Sequence, residues 1–504
     1  MGFLISPSSD YRPLPLLTEE GAKDLMISGF LTSYFREAQG DDYSFDWSAF
    51  FTDSAEDLLY RRRVLEDLTE LPEVVENIRA LSAALTQIRS IRDLGDGEDI
   101  SGTLREFDVL RLAHERLCAL SDSLKQEIAS GRIRSEGLIK LYEICEEKTR
   151  SDFSVDYPAA WDEKASGLPQ MASLFFRFSL NSELRTEGVA LTSVSSQRMT
   201  RSALPKSEQG TEGLHEPHEF SAPRDMMSPL KELIQTETRN CERIFLDTLR
   251  KITGDLEELH SDLLYYLGAL LYIRDMEKVE APLCYARLAA PADKAFTAKG
   301  LYNPVLAKLK ETHPVDNDVE FDPQGEILIL TGINQGGKTT FLRSVGLAQA
   351  LCQLGWPVPA ESAKISPVDR IVTVFSHEED TRLQHGKLGQ ELKTIRRGLD
   401  LLTADSLMLF NEPVTGTSPL ENLYLSREVL VSAKINGYRG IWVTHLYDLA
   451  AEAPEMNEAL PGSRISSIIA VVNKDEGDVS ASYRIRRGAP EFTSYAKEML
   501  AKKK

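Results

Sequence analysis

The chain has 504 residues, 42% of them hydrophobic and 27% charged, an ordinary mix for folded domains, and its length predicts two to four of them. A formal net charge of −20 and a pI near 5.0 exclude a surface that is basic all over, though a local basic stripe of the kind that contacts nucleic-acid phosphates is still allowed. The five cysteines, Cys118, Cys145, Cys241, Cys284 and Cys352, have no C-x-x-C spacing and an odd count, which fits free thiols better than a disulfide framework or a zinc site. Residues 1–17 lack a basic-then-apolar leader, and the longest apolar run, Leu263 to Ile273, is too short to span a bilayer, so the expected location is cytoplasmic with no membrane contact.

The first half reads as helical. Val74, Ile78, Leu81, Leu85, Ile88 and Ile91 recur at steps of three or four, on one helix face, and Pro72 stands near the start, where a missing N–H costs little. Helical pattern runs on from Leu104 to about Glu147. Then Phe176 and Phe178 alternate with polar residues, Asn181-Ser182 punctuates, and Val189, Leu191 and Val194 follow, which predicts a β-hairpin over 174–195. Residues 205–229, rich in Pro, Gly, Ser and Glu, read as a linker or mobile loop. Beyond it Phe245, Leu249, Ile252, Leu256, Leu259 and Leu263 alternate steps of four and three and continue to Leu267 and Leu270. That is a heptad-like seam on a long helix packed in a bundle.

From about Phe321 strands alternate with helices. Ile327–Leu330, Ile371–Phe375, Leu407–Phe410 and Ile441–Val443 are short apolar runs of the buried-strand type, with helices between them from Lys338 to Leu354 and from about Glu391 to Leu402. This predicts an α/β domain with a mainly parallel sheet. Ile465–Val472 and Ser480–Ile485 make a late hairpin around a turn at 474–478.

Gly332-Ile333-Asn334-Gln335-Gly336-Gly337-Lys338-Thr339 fits G-x-x-x-x-G-K-[ST], with a predicted strand entering and a helix leaving. The glycines let the backbone wrap phosphates with its N–H groups, and the helix N-terminus adds positive potential. Lys338 is expected on the β- and γ-phosphates of a nucleotide and the Thr339 hydroxyl on Mg²⁺. About seventy residues on, Leu407 to Phe410 ends in Asn411-Glu412. In phosphate-loop ATPases a strand beside the loop strand ends in two acidic residues, one serving the metal and one the attacking water. Here Asn411 takes the metal place without the charge, and Glu412 keeps the base. Thr444-His445, at the end of the next strand, offers an imidazole to the γ-phosphate.

Taken together these residues resemble the ATPase domain of the MutS family of DNA mismatch-repair proteins. Thr331 to Thr340 is similar to that family's TGPNMGGKST loop, which brings Asn334 and Thr340 into the nucleotide-binding set with Gly332, Gly336, Gly337, Lys338 and Thr339. Val358-Pro359-Ala360, Pro367 to Ile371, Glu412 with Gly416-Thr417-Ser418, Thr444-His445, Ser494-Tyr495-Ala496 and His313-Pro314-Val315 resemble its VPA, PVDRI, DE…GTS, TH, SYG and HPV segments. The likeness is strong over about 311–500; upstream, Phe245 to Leu270 resembles a lever arm and Arg61 to Leu68 the start of a helical core.

The resemblance implies a multidomain, mainly α-helical core and lever region followed by an α/β P-loop (ABC-type) ATPase domain. It sets a core-like region at 1–204, the linker at 205–229, lever-like helices at 230–310 and the ATPase domain at 311–504. It implies ATP and Mg²⁺ as cofactors, Glu412 and His445 as catalytic residues, Thr339 and Asn411 at the metal, a homodimer, and an ATP-switched clamp on DNA in repair or recombination. No mismatch-reading module is recognised ahead of the core and no appendage after Tyr495, Thr415 stands where an Arg is usual, and Gly386 to Glu391 lacks the Ser-Thr-Phe of the family's signature while Glu391 takes its acidic place. These departures point away from fast hydrolysis and from mispair reading.

The expected DNA binding is therefore salt-sensitive and directed at DNA structure, with Arg198, Arg201 and Lys206 and the tail Lys497, Lys502, Lys503 and Lys504 as candidate phosphate contacts. The alternative is a nucleotide-gated switch with weak ATPase activity that engages a protein partner and not DNA, a reading favoured by Asn411, the altered signature and the charge of −20. Another branch of the ABC-type ATPases is disfavoured, since no LSGGQ-like signature or transmembrane companion segment is found.

Overall fold

The structure, a computed structural model, describes residues 4–8, 10–39, 45–94, 100–151, 173–180, 186–195, 259–322, 326–376, 386–475 and 478–490. It forms two compact units: Met1–Val75 with Glu127–Leu141 and Ser261–Lys504, and Glu76–Gln126 with Tyr142–His260. Helices dominate the N-terminal region and a mixed α/β sheet domain follows.

The smaller unit is built on helix pattern and one hairpin. Helix α4 (Pro72–Leu94) starts at the proline and buries Ile78, Leu81, Leu85 and Ile88 at the expected spacing. They are joined in the unit's core by Leu117, Leu120 and Leu124 of α5 (Ile100–Ala129) and by Cys145 of α6 (Glu136–Ser151). Strands β1 (Ser173–Leu180) and β2 (Thr186–Ser195) pair antiparallel, with Phe176 opposite Leu191 and Phe178 opposite Val189. The expected punctuation at Asn181-Ser182, the linker over 205–229, the basic candidates Arg198, Arg201 and Lys206, and the first part of the heptad seam lie outside the described residues.

The helical pattern expected to run from Leu104 to Glu147 is in fact two helices. The break, at 130–135, lies in the larger unit and is made by Asp67 of α3 (Ala55–Glu70), whose buried carboxylate accepts from Arg134 N (2.9 Å) and Ser135 N (2.7 Å). A helix running through would hold those N–H groups in its own ladder. Glu127 O takes up Arg132 N at the end of α5, and the chain re-enters a helix at Glu136.

The helix over 259–278, here α7, continues the expected seam, but Asp262 to Ala269 are buried without interruption instead of along one stripe. Its Tyr265 and Tyr272 pack with Phe50, with Tyr34 and Phe30 of α2 (Ile27–Gln39), and with Trp356. Arg61 of α3 is fully buried in the same core. Its Nε donates to Ile5 O (2.7 Å), its Nη1 to Phe50 O and to Leu354 O (3.2 Å), and its guanidinium lies 5.2 Å from the centre of the Tyr11 ring. Tyr265 Oη donates to the same Leu354 carbonyl.

A six-stranded sheet in the order β12, β11, β6, β10, β9, β8 organises the rest of this unit. β6 (Glu326–Thr331), β8 (Ile371–Phe375), β9 (Leu407–Asn411), β10 (Arg439–Val443) and β11 (Arg464–Asp475) are parallel, and β12 (Asp478–Arg487) closes the edge antiparallel to β11. All six residues of β6 and all five of β10 are buried, as their unbroken apolar runs require of strands covered on both faces. Helix α9 (Lys338–Leu354) follows β6 and is buried almost all round; α10 (Lys387–Leu401) begins four residues earlier than expected, and α11 (Pro419–Ile435) is capped by Ser418 ahead of Pro419. The sheet order corrects one expectation. The strand that ends in Asn411-Glu412 does not lie beside the loop strand, because β10 intervenes.

A second sheet, in the order β3 (Arg287–Leu288), β7 (Ser362–Ile365), β4 (Phe296–Leu301), β5 (Asn317–Glu320), has no counterpart in the sequence reading. Its strands are short and span few residues of alternation. Helix α8 (Pro304–Lys310) leaves β4 with Asn303 as its cap. The N-terminal segment packs on β8: Leu16 O accepts from Ile371 N (2.8 Å), and Asp24, which ends α1 (Glu19–Asp24), receives Thr373 Oγ1 (2.7 Å) and, at its carbonyl, Arg343 Nε (2.7 Å).

Candidate functional site

Three loops meet at the C-terminal ends of the parallel strands, where an open α/β sheet presents its crevice. The first follows β6. Gly332 sits at φ +142°, and a Cβ there would come within 2.7 Å of Ala470 Cβ on β11. Gly337, at φ +87°, turns the chain into α9, so that Lys338 is the first helical residue. Lys338 is buried and its Nζ donates to Gly332 O (3.0 Å) and Ile333 O (2.9 Å), which folds the loop around the ammonium. Burial pushes the amine below the ordinary lysine range, with the Glu412 carboxylate opposing. Asn334 and Gln335 form the exposed tip. Thr340 gives its carbonyl to Asn303 Nδ2 (3.3 Å) and to Ser344 Oγ (2.9 Å).

The second loop follows β9. Asn411 Oδ1 accepts from Thr339 Oγ1 at 3.3 Å, so these two side-chain oxygens stand together. Glu412 adopts φ +50°, a left-handed conformation uncommon outside glycine, and its N–H donates to Val443 O on β10 (2.9 Å). The third loop follows β10 and brings His445 Nε2 to 2.7 Å from Glu412 Oε1. Burial alone would raise the Glu412 carboxyl; the hydrogen bond from His445, its charge and that of Lys338 outweigh burial and hold it below the ordinary carboxylate range.

These loops open on a cavity of about 550 Å³ lined by residues 334–341 and, around them, by Lys310, His313, Val315, Asn317, Glu412 and Tyr483. Of the residues singled out in the sequence, His313, Pro314, Val315, Asn334, Gly336, Gly337, Lys338, Thr339, Thr340 and Glu412 line it. Gly332, Asn411 and His445 do not; they touch it through Lys338, Thr339 and Glu412.

On the far wall, Asn303, Asn317 and Tyr483 are what sequence reasoning missed. Asn317 on β5 donates from Nδ2 to Tyr483 O (3.1 Å) and accepts from Ile485 N (2.6 Å), tying the second sheet to β12. Tyr483 holds φ +60°, is half exposed, and its ring edge stands 3.3 Å from where a Gly337 Cβ would be. Val315, also exposed, lines the same cavity. Asn303 carried a readable signal, an asparagine directly before a proline at a helix start. Tyr483 carried none, since nothing in its type marks a left-handed backbone.

The donor set suits a nucleotide with Mg²⁺. The cradle could offer N–H groups and one buried ammonium to phosphates, and Thr339 and Asn411 would hold a divalent cation through hard oxygens. Among the described residues no group of three His, Cys, Asp or Glu could hold a metal by itself, and no helix is long and apolar enough to cross a membrane.

Two family models match the chain: MutS domain V over residues 328–500 and the MutS2 N-terminal domain over residues 53–279. Among curated proteins it is similar to the DNA mismatch repair protein MutS of three bacteria. Identity is 32% over 193 residues for Brevibacillus brevis (38% of this chain, 22% of that protein), 31% over 270 residues for Symbiobacterium thermophilum (52% and 30%), and 25% over 268 residues for Listeria welshimeri (53% and 29%). The chain thus spans less than a third of the length of these relatives.

Proposed function

Because this chain belongs to the MutS family, we propose that it binds and hydrolyses ATP with Mg²⁺ on an ABC-type P-loop domain, and that nucleotide state switches a dimeric clamp on DNA in repair or recombination without reading mispairs. The observation that carries the enzymatic part is the convergence of Lys338, Thr339 with Asn411, and Glu412 with His445 on one cavity. Lys338 and the N–H groups of residues 334–340 neutralise and orient the phosphates. Thr339 and Asn411 would hold Mg²⁺, which when bound supplies positive charge between the phosphate oxygens. Glu412 orients the attacking water and takes up its proton, and His445 aims that carboxylate. Tyr483 and Val315 take the base between apolar surfaces.

The DNA part rests on kinship with proteins named for mismatch repair. ATPase activity of the full chain, measured alone and with plain, mismatched and branched duplexes, tests both parts. Hydrolysis stimulated by DNA supports the clamp. Absence of any ATP turnover removes the enzyme.

A second reading has its own observation. Asn411 puts a neutral amide beside Thr339 in place of a carboxylate, and the net charge of −20 repels DNA. In this reading the chain is a nucleotide-gated protein-interaction switch that hydrolyses ATP weakly and has no DNA role. Turnover that is slow and indifferent to every DNA added favours it.

A further inference from the structure

Glu391, on the second turn of α10, faces the loop that leaves Glu412. Its Oε1 accepts from Thr415 Oγ1 (2.6 Å) and Thr415 N (3.1 Å), and its Oε2 from Thr415 N (3.0 Å) and Gly416 N (2.9 Å). One carboxylate thus takes both backbone donors and the one hydroxyl that this stretch offers. The loop is pressed hard against α10, since a Cβ on Gly416 would meet Leu388 N at 2.8 Å and Lys387 Cγ at 3.0 Å. From the other side Asn422 Nδ2, on α11, donates to Val414 O (2.7 Å).

The held stretch begins only two residues after Glu412, whose backbone is at φ +50°. A non-glycine residue keeps such a conformation only where its surroundings fix it. On the strand side the Asn411–Glu412 peptide is held by the bonds from Glu412 N to Val443 O (2.9 Å) and from Ser376 N to Asn411 O (3.1 Å). On the loop side the hold is Glu391 and Asn422.

We propose that Glu391 is a positioning residue for hydrolysis, a latch that clamps Thr415 and Gly416 and thereby keeps the Glu412 carboxylate on His445 and facing the cavity. The inference rests on the ATPase reading for its catalytic consequence, and on geometry alone for the latch. It assigns a role to Thr415: a short hydroxyl residue donates to Glu391 through both side chain and backbone.

The test compares the full chain with Glu391→Gln and Thr415→Val. The first keeps one acceptor oxygen and turns an NH₂ toward the donors. The second removes the hydroxyl and leaves every charge in place, which separates a lost latch from a lost charge. Two readouts are taken: amide exchange at Glu412, Thr415 and Gly416, and single-turnover ATP hydrolysis beside nucleotide affinity. In Glu391→Gln the three amides exchange faster, and hydrolysis falls at least about tenfold while ATP affinity stays within about twofold, the pattern of a displaced catalytic group. Thr415→Val moves both readouts the same way by less. Unchanged amide exchange in both variants overturns the latch. Faster exchange with an unchanged hydrolysis rate overturns the positioning role. If the unaltered chain does not hydrolyse ATP, the ATPase reading falls, and amide exchange still decides the latch.

Discussion

At the scale of single residues, the site separates binding from chemistry. Among the described residues Lys338 is the one buried cation that lines the cavity, and its ammonium donates to loop carbonyls. Lys338→Ala should weaken ATP binding by about 100-fold or more, as expected when a charge-assisted contact to phosphate is lost in a desolvated setting. Glu412→Gln should bind ATP and Mg²⁺ nearly as before and hydrolyse it about 100-fold more slowly or worse, because the cradle is untouched while the base is gone. Equilibrium binding of a fluorescent ATP analogue, set beside single-turnover rates, checks both, and an Lys338→Ala protein that folds and keeps its affinity refutes the phosphate-loop assignment. The Glu412 carboxyl also makes a pH prediction. Its folded value lies below its unfolded one, so the stability its carboxylate contributes is fully present above the ordinary carboxylate range and is lost as pH falls through the depressed value. His445→Ala removes the hydrogen bond that opposes burial, so the acid limb of the pH–rate profile should move up toward neutrality. An acid limb that stays in place would show that His445 does not set the ionisation of Glu412.

At the scale of elements, the sequence was most legible where apolar runs were long and covered on both faces. β8 and α9 span the very residues that their periodicity marks, and β6, β9 and β10 extend those marked by one or two at an end. The hairpin of β1 and β2 was readable from alternation. What alternation cannot supply is the order of strands, since it reports only which residues are buried. The Asn411-Glu412 strand was therefore set beside β6, although β10 separates them. The short strands of the second sheet, and with them Asn317 and the wall that holds Tyr483, carry too few residues to show a period. The break between α5 and α6 was hidden for another reason, because its cause, Asp67, is 67 residues away in sequence. Asp67→Ala should cost about 1.5–3 kcal/mol, the range for hydrogen bonds to a charged acceptor, with two N–H groups left without it. Urea denaturation checks this, and a loss under about 0.5 kcal/mol, the scale of an ordinary surface substitution, would mean that the break is imposed elsewhere.

At the scale of the whole molecule, composition and kinship pull in opposite directions. A chain of net charge −20 gains DNA only where basic groups converge, and every contact made that way weakens with salt. Phosphate contacts fix register without reading bases, so the proposed clamp should bind mismatched and perfect duplexes nearly equally and a four-way junction at least as well. Competition binding at fixed salt among the three decides it. A large preference for the mismatch refutes the absence of mispair reading, and no binding to any of them moves the reading to a protein partner. The lysines of the tail and Arg198, Arg201 and Lys206, which the sequence nominates for these contacts, lie outside the described residues, as does Ser494-Tyr495-Ala496.

The carbonyl of Leu354 has a mechanical consequence. It ends α9, the helix that begins at Lys338, and it is gripped by Arg61 from α3 and by Tyr265 from α7. Seventeen residues make a rod about 25 Å long, so a tilt of a few degrees at the phosphate end swings the far end by about 1–2 Å. A displacement of that size would break a hydrogen bond, and Arg61, sealed from water, has no solvent to turn to in exchange. Rotation of α9 must therefore drag α3 and α7 along with it. The two helices are coupled to the loop at Lys338 through that carbonyl.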